Sequence, residues 1–356
     1  LLYLQYVFRR LKGLESMAQR QGRFVLKLPN KPKILATAAV VGPKEAEGPH
    51  GPDFDNCHSD DYVGQETWEK AESVIHKEAI ERAINKAGLS PLDIDMVFAG
   101  DLLDQEIAST LGIRELNIPF VGLFGACSTM ALGLALAGLM ADTHAANYAV
   151  ASTSSHFCSA EKQFRYPLAY GAQRSTTAQR TVTGAGAAVV AANGPKRAPY
   201  IDAVFLGRIR DLGIKDAANM GAAMAPAAAT TIIDFMHDTG TTADDYDLIL
   251  TGDLGKVGST LVRELMLTRE NMDISKVHND CGMMIFDLEK QDVHAGGSGC
   301  GCSAAILCSY IYKELEKGNL KSVLFVGTGA LMSPTLTQQG ETIPSIAHAV
   351  LIRSGC

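Results

Sequence analysis

The fold is decided by the stretch Phe120-Val-Gly-Leu-Phe-Gly-Ala-Cys-Ser-Thr129, which is followed directly by Met130-Ala-Leu-Gly-Leu-Ala-Leu-Ala-Gly-Leu-Met140. The first part has the side chains of a short buried strand, and the second part is apolar over the length of a helix. Small residues between them allow a sharp turn, and the Ser-Thr pair can cap the helix. Cys127 is therefore predicted at a strand-to-helix elbow, where the helix dipole would lower the pKa of its thiol. The alternative, a small apolar residue in a core, is equally favoured.

Composition and charge exclude several classes of protein. The 356 residues are 47% hydrophobic and 20% charged, which is typical of a well-packed globular chain. Because the net charge is −7 and no Lys/Arg cluster is present, we expect no nucleic acid partner. The eight cysteines have neither a C-x2-C pair nor zinc-finger spacing, which favours a reducing compartment. Residues 118–141 are uncharged, but proline, glycine and polar residues interrupt the run, so we predict no transmembrane helix there.

The two halves of the chain repeat one plan. The apolar run Met96-Val-Phe-Ala-Gly-Asp101 has a counterpart in Leu248-Ile-Leu-Thr-Gly-Asp253, and each reads as a buried strand that ends in Gly-Asp. Cys302-Ser303 opens an apolar helix in the way that Cys127-Ser128 does. Two later strands repeat in the same order. The sequence therefore predicts an α/β protein made of two duplicated halves, each with a mostly buried sheet.

This duplication divides the chain into three segments. Residues 33–198 form the N-terminal half, residues 199–356 form the C-terminal half, and residues 1–32 are an extension of doubtful origin. Within that extension, residues 1–16 precede the first Met, and we expect a translation artefact rather than the alternative, a small surface anchor. Ligands of open α/β sheets bind at the carboxyl ends of strands, so the Gly-Asp ends and the Cys-Ser turns should meet at the seam between the halves. Residues 153–183 are predicted to form a surface excursion that carries a lid or a pocket wall.

Duplicated α/β halves with a cysteine elbow in the first copy resemble the thiolase superfamily of thiolases and ketoacyl synthases. The resemblance implies a layered αβαβα fold. In the ketoacyl-synthase III branch, a nucleophilic cysteine works with a histidine and an asparagine. Cys127 matches the cysteine, and His278, in the segment His278-Asn-Asp-Cys-Gly282, matches the histidine. Gly301 stands where the asparagine is expected, so the resemblance implies an incomplete catalytic set and open space beside Gly301.

A closer resemblance covers nearly the whole chain from about residue 33. Phrases such as Leu123-Phe-Gly-Ala-Cys-Ser-Thr129 and Ala295-Gly-Gly-Ser-Gly-Cys300 are similar to the stage V sporulation protein AD family. That resemblance implies a non-catalytic protein that binds dipicolinate (pyridine-2,6-dicarboxylate), alone or as its calcium chelate, in the machinery that moves this compound into the developing spore. It implies no cofactor of the protein's own, and other stage V sporulation membrane proteins as partners. It also implies a cytoplasmic-type protein of the spore or forespore, attached peripherally to the inner membrane.

The expected site lies between the halves, with the ligand carboxylates against the turn amides at Cys127 and at residues 299–302. For Asp101, a helix cap is as favoured as ligand or cation binding, and its counterpart Asp253 is expected to be structural. For His156, a solvated loop is the alternative to a pocket wall. For Arg208, an ion pair with Asp211 is the alternative to binding a ligand carboxylate. The candidate ligand-binding residues are Cys127, His278, Gly301, Asp101, His156, Arg208 and Gly299.

Two other functions remain open at this stage. One is an acyl-thioester transferase that uses Cys127 with His278 as its base, and the other is a scaffold with a vestigial pocket. An activated thiol predicts that Cys127 alkylates faster than the other seven cysteines. Since thiolase-like proteins dimerise near the elbow strand, we also expect a homodimer, with the strand at 146–152 near a sheet edge.

Overall fold

The computed structural model describes residues 17–164 and 174–356. The expectation for residues 1–16 and the central part of the predicted 153–183 excursion, at 165–173, lie outside the described residues. The strands are β1 (Gln19–Gln21), β2 (Val25–Lys27), β3 (Lys33–Val41), β4 (Asn56–Cys57), β5 (Met96–Gly100), β6 (Phe120–Gly122), β7 (Tyr148–Ser155), β8 (Arg180–Thr181), β9 (Gly184–Ala191), β10 (Tyr200–Phe205), β11 (Leu248–Thr251), β12 (His278–Asp280), β13 (Gly297–Ser298), β14 (Ser322–Ala330) and β15 (Ser345–Arg353).

The helices begin and end close to the positions that their sequences indicate. They are α1 (Pro43–Ala46), α2 (Trp68–Lys86), α3 (Ile107–Ile113), α4 (Thr129–Asp142), α5 (Phe157–Phe164), α6 (Met220–Thr239), α7 (Gly255–Glu270), α8 (Cys281–Met284), α9 (Cys300–Ile306), α10 (Tyr312–Lys317) and α11 (Pro334–Gln338). A π-helical turn joins α9 to α10. At the start of α2, the Thr67 side chain accepts a hydrogen bond from the Lys70 N–H and so caps the helix.

The main sheet contains the predicted internal repeat. Its strand order is β12-β11-β14-β15-β10-β3-β9-β7-β5-β6. The order is symmetric about the junction of β3 and β10, where Lys33 pairs with Tyr200. Strands β6-β5-β7-β9-β3 of the first half therefore correspond to β12-β11-β14-β15-β10 of the second half.

Helices cover both faces of each half of the sheet. Helix α4 packs on β5 and β7 of its own half and on β14 and β15 of the other half, while α9 packs on β7 and β9. Helix α2 covers the opposite face of β3 and β9, and α6 covers β14 and β15 together with α7. In β3, Ala38 and Val40 contact the α2 side, whereas Ala39 and Val41 contact the side of the central helices. The predicted αβαβα layering is confirmed.

The edge of the N-terminal sheet differs from its prediction. Strand β6, predicted to be buried, is the outermost strand, so Phe120 and Val121 are 37% and 41% exposed. Strand β7 includes most of the predicted 146–152 strand and lies between β9 and β5, not at an edge. The apolar run at 118–141 divides into β6 and α4, as predicted. Among the described residues, no helix is long and apolar enough to cross a membrane.

The described part of the predicted N-terminal extension belongs to the folded body. Strand β2 pairs antiparallel with β10, and the side chains of Val25 and Leu28 are fully buried. The Asp238 carboxylate, in α6, accepts hydrogen bonds from the N–H groups of Arg23, Phe24 and Val25 at 2.5–3.1 Å. Burial raises the pKa of Asp238, but these three hydrogen bonds outweigh burial and lower the pKa below its usual value.

We predict that Asp238→Asn lowers the free energy of unfolding by about 1 kcal/mol at neutral pH, a value discounted for solvent exposure. Because the folded-state pKa of Asp238 is lowered, its contribution is present above the unfolded-state pKa and disappears as the pH falls through the folded-state value. Urea unfolding of the parent and of Asp238→Asn at several pH values should show that their free energies of unfolding become equal as the pH falls. The exposed Asp244 provides the control Asp244→Asn, and an equal loss there would contradict the prediction.

Candidate functional site

The predicted elbow is present at Cys127. This residue lies in a 3₁₀ turn, Ala126–Ser128, between β6 and α4. Ala126 has a φ of 50°, a conformation that is unusual for a residue with a side chain. The Ser128 hydroxyl donates to the Gly125 carbonyl at 2.7 Å, so it holds the turn and does not cap the helix amides as predicted.

Asp253 is the charged group that faces the Cys127 thiol. Its carboxylate, fully buried at the end of β11, accepts hydrogen bonds from the Gly299 N–H (2.8 Å), the Thr328 hydroxyl (2.9 Å) and the Ser298 hydroxyl (3.2 Å), and its charge acts on the nearby Cys127 thiol. Burial raises the pKa of Asp253 to about 6 despite these donors, so the carboxyl is mostly ionised at neutral pH. These bonds agree with the expectation that Asp253 is structural, and its charge also acts on the elbow cysteine.

The Cys127 thiol is protonated at neutral pH. The thiol is only 8% exposed, and burial, together with the negative charge of Asp253, raises its pKa well above the usual value. The lowered pKa predicted from the helix dipole is wrong, because desolvation and a neighbouring carboxylate both disfavour the thiolate. A second buried thiol, Cys300, packs in the same cluster and donates to the Ser154 carbonyl at 2.9 Å.

His278 does not meet Cys127. Its Nδ1 accepts from the Arg263 guanidinium and its Nε2 donates to the Thr251 hydroxyl, each at 3.0 Å. Burial and the charge of Arg263 lower the pKa of His278 to about 3. Strand β11 lies between β12 and β14, and His278 of β12 is in register with Leu324 of β14. The elbow contacts β14 at Gly329, five residues further along the strand. Leu324 and Gly329 are about 16 Å apart along β14. The predicted pair of Cys127 and His278 is therefore not formed.

The glycine-rich turn is closely packed and has no open space. A side chain at Gly301 would place its Cβ 2.3 Å from the Gly184 carbonyl and 2.6 Å from the Ser155 hydroxyl. The predicted gap beside Gly301 is therefore absent, and Gly301 does not line a pocket. Gly299 has a φ of 99°, and its N–H is already bonded to Asp253. The expected contact between this amide and a ligand carboxylate is therefore not available.

Asp101 and His156 are used within the fold. Asp101 accepts from the backbone N–H groups of Leu103 and Ser109, both at 2.8 Å, so the helix-cap alternative describes it correctly. His156 is fully buried, and its Nε2 donates to the Asp61 carbonyl at 2.7 Å, so neither the pocket wall nor the solvated loop describes it.

Arg208 lies on the outer layer of the C-terminal half. It forms an ion pair with Asp234 and stacks on the Phe24 ring at 4.1 Å from the ring centroid. The alternative partner, Asp211, accepts instead from the Gly213 N–H and from a threonine hydroxyl. Of the seven candidate residues, the structure brings only Cys127 and Gly299 together, with Asp253 between them.

A pocket of about 300 Å³ opens beside Cys127. Its walls are largely apolar and include Phe124, Phe164, Met220 and Met224, with a few hydroxyl groups. None of its described lining residues is charged. Sequence reasoning missed these four wall residues because they come from three distant segments, and an apolar helix such as α6 gives no sign of which side faces a cavity.

We predict that iodoacetamide at neutral pH labels the exposed Cys57 and Cys356 well before Cys127, which reverses the expectation from the sequence. Asp253→Asn removes the negative charge next to the thiol, so Cys127 should then react faster. Peptide mass mapping over time gives each rate, with Cys356 in the same molecule as the internal control. Equal Cys127 rates in both proteins, relative to Cys356, would show that the carboxylate does not suppress this thiol.

Comparison with known proteins agrees with this architecture. At 14% identity, the structure resembles 3-oxoacyl-[acyl-carrier-protein] synthase III from Aquifex aeolicus VF5, with a TM-score of 0.56 over 90% of this chain and 99% of that chain. It also resembles cerulenin-bound OleA of Xanthomonas campestris at 15% identity, with a TM-score of 0.58 over 95% of this chain and 100% of that chain. These likenesses confirm the thiolase-like fold.

The chain is 46% identical to stage V sporulation protein AD of Bacillus subtilis (strain 168) over 318 residues, which cover 89% of this chain and 93% of the relative. The family model of stage V sporulation protein AD matches residues 22–353, and the chain therefore belongs to that sporulation protein family.

Proposed function

We propose that this protein binds dipicolinate in the pocket beside Cys127 and catalyses no reaction on it, within the sporulation machinery to which its family belongs. The observation that carries the proposal is the pocket beside Cys127, whose described lining is uncharged and largely apolar. The thiol at its wall stays protonated, because burial and the charge of Asp253 raise its pKa, and His278 is bonded to Arg263 and Thr251 instead.

The size and the lining of the pocket support a small aromatic ligand. A volume of about 300 Å³ is at the lower end of the range for small-molecule sites. The rings of Phe124 and Phe164 and the thioethers of Met220 and Met224 line it. Aromatic rings stack on one another and sulfur contacts their edges favourably, so these walls suit the pyridine ring of dipicolinate.

The acyl-transferase alternative lacks its base. Covalent catalysis by cysteine needs a thiolate, which an adjacent histidine usually provides. Here the group next to Cys127 is the carboxylate of Asp253, which raises the pKa of the thiol, and His278 lies two strands away. We therefore expect no condensation or thiolysis of acyl-coenzyme A.

The charge of the pocket favours the calcium chelate over the free dianion. A dianion would enter an apolar space with no described cationic lining residue and with Asp253 behind the thiol, which is costly. In the one-to-one calcium chelate, the two carboxylate charges are balanced by the cation. Among the described residues, no group of three His, Cys, Asp or Glu side chains is arranged to hold a metal ion. The proposal therefore assigns the calcium ligands to dipicolinate and water, since calcium prefers oxygen ligands.

We predict that calorimetry of the full chain gives at least tenfold tighter binding of dipicolinate with equimolar calcium than with a calcium chelator present, because only the chelate is neutral. Ala330→Trp, at the pocket wall, should abolish binding by filling the space. Ala145→Trp, at an exposed site beyond the far end of α4, is the matched control and should bind as the parent does. Tighter binding in chelator would contradict the neutral-chelate argument, and unchanged binding in Ala330→Trp would place the ligand elsewhere.

We further propose a homodimer that forms through β6, alongside contacts with other stage V sporulation membrane proteins at the inner membrane. Strand β6 ends the sheet and exposes Phe120 and Val121. An open strand edge with apolar side chains readily pairs with a second strand.

Light scattering should therefore give the dimer mass for the parent protein and a monomer mass for Val121→Lys, because a lysine on an edge strand opposes pairing. Leu92→Lys, at a side chain that is 89% exposed and lies outside β6, should remain dimeric. A monomeric parent at high concentration would rule out the dimer.

A further inference from the structure

A second pocket lies on the outer layer of the C-terminal half. It encloses about 300 Å³ between the loop that follows β10 and the helices α6 and α7. Its apolar wall includes Ile209, Leu212 and Pro226. Two arginines line the same space, Arg210 from the loop and Arg269 from the last turn of α7. Both pockets have apolar walls, but this one also has two cationic side chains, whereas the described lining of the pocket beside Cys127 is uncharged.

Both guanidinium groups lack partners within residues 17–164 and 174–356. Neither Arg210 nor Arg269 forms a side-chain hydrogen bond or ion pair there, and Arg210 Nε is buried without an acceptor. The nearby Arg208 differs because it is paired with Asp234, although its Nε is likewise buried without an acceptor. The carboxylate in the lining, Asp211, already accepts from a backbone N–H and a threonine hydroxyl. A buried donor without an acceptor is costly, so a bound anion would stabilise this arrangement.

The loop that carries Arg210 also exposes large aliphatic side chains. Leu206, Ile209 and Leu212 are 39%, 63% and 59% exposed, and they follow one another at three-residue spacing. Exposed aliphatic groups of this size in one short segment indicate a contact surface. Aliphatic side chains that enter the acyl boundary, next to arginines that meet phosphate, are the features of a protein surface that binds anionic lipid.

We infer that the pocket of Arg210 and Arg269 binds the phosphate of an anionic phospholipid, and that Ile209 and Leu212 insert at the membrane surface beside it. Arginine binds phosphate through paired N–H groups, so two free guanidinium groups can hold one headgroup phosphate. The inference stands apart from the dipicolinate proposal, because it uses a different pocket and different residues.

The test is co-sedimentation of the full chain with vesicles of phosphatidylcholine alone or mixed with phosphatidylglycerol. The parent should sediment only with the mixed vesicles. Replacing both arginines, in Arg210→Gln with Arg269→Gln, should weaken binding roughly thirtyfold. The matched control, Lys196→Gln with Arg197→Gln, removes two exposed charges at the opposite end of β10 and should bind as the parent does. The double variant Ile209→Ser with Leu212→Ser should bind the mixed vesicles more weakly than the parent does, although the charge of the vesicles is the same.

Three outcomes would overturn the inference. One is equal sedimentation with both kinds of vesicle, and another is equal loss in the control pair, which would indicate a general charge effect. The third comes from calorimetry with inorganic phosphate. Binding of phosphate that depends on the two arginines, without binding of vesicles, would assign the pocket to a soluble anion. Circular dichroism of each variant, together with dipicolinate binding in the other pocket, reports whether the fold is intact.

Discussion

The seam between the two halves depends on one buried carboxylate, Asp253. An ionised group in the interior must find hydrogen-bond donors, because an unpaired charge there costs several kcal/mol. Asp253 receives three hydrogen-bond donors from the second half, Gly299, Ser298 and Thr328, and its charge faces the Cys127 thiol of the first half. The donors fix the glycine-rich turn and β14 around the end of β11, and β14 packs on the elbow at Gly329. The close packing of Gly301 against Gly184 and Ser155 adds a steric constraint at the same seam.

The same carboxylate determines what the elbow can do chemically. A strand-to-helix elbow usually exposes a reactive nucleophile, and the strained φ of Ala126 shows that this chain retains the backbone geometry. With Asp253 as its neighbour, the buried thiol has a raised pKa and remains protonated. The pocket in front of it is apolar and uncharged in its described lining. Retention of the elbow with reversal of its electrostatics is therefore the physical basis on which we propose binding without catalysis.

The sequence predicts the parts of this protein that depend on local patterns. Apolar runs place β5 and its counterpart β11, and small residues before an apolar run place the elbow. The roles of Asp101 and Asp253 could not be assigned, because both follow Gly at the end of a buried strand and only the packing between halves distinguishes them. The pairing of His278 with Cys127 rested on a match between a short segment and the ketoacyl-synthase III branch, and such a match does not show that His278 lies in β12, beyond β11. The exposure of β6 was missed because an edge strand and a central strand can have the same apolar composition.

Helix α6 connects the two pockets. Met220 and Met224, in its first turns, line the pocket beside the elbow, while Pro226 and Thr230 line the pocket of Arg210 and Arg269. Proline in a helix interior removes one backbone hydrogen bond, so α6 has a weak point at Pro226, where the second set of contacts begins. A ligand in either pocket therefore packs against the same short segment. Coupling between two sites is reciprocal by thermodynamic necessity, so an effect of membrane contact on dipicolinate affinity would require an equal effect of dipicolinate on membrane affinity.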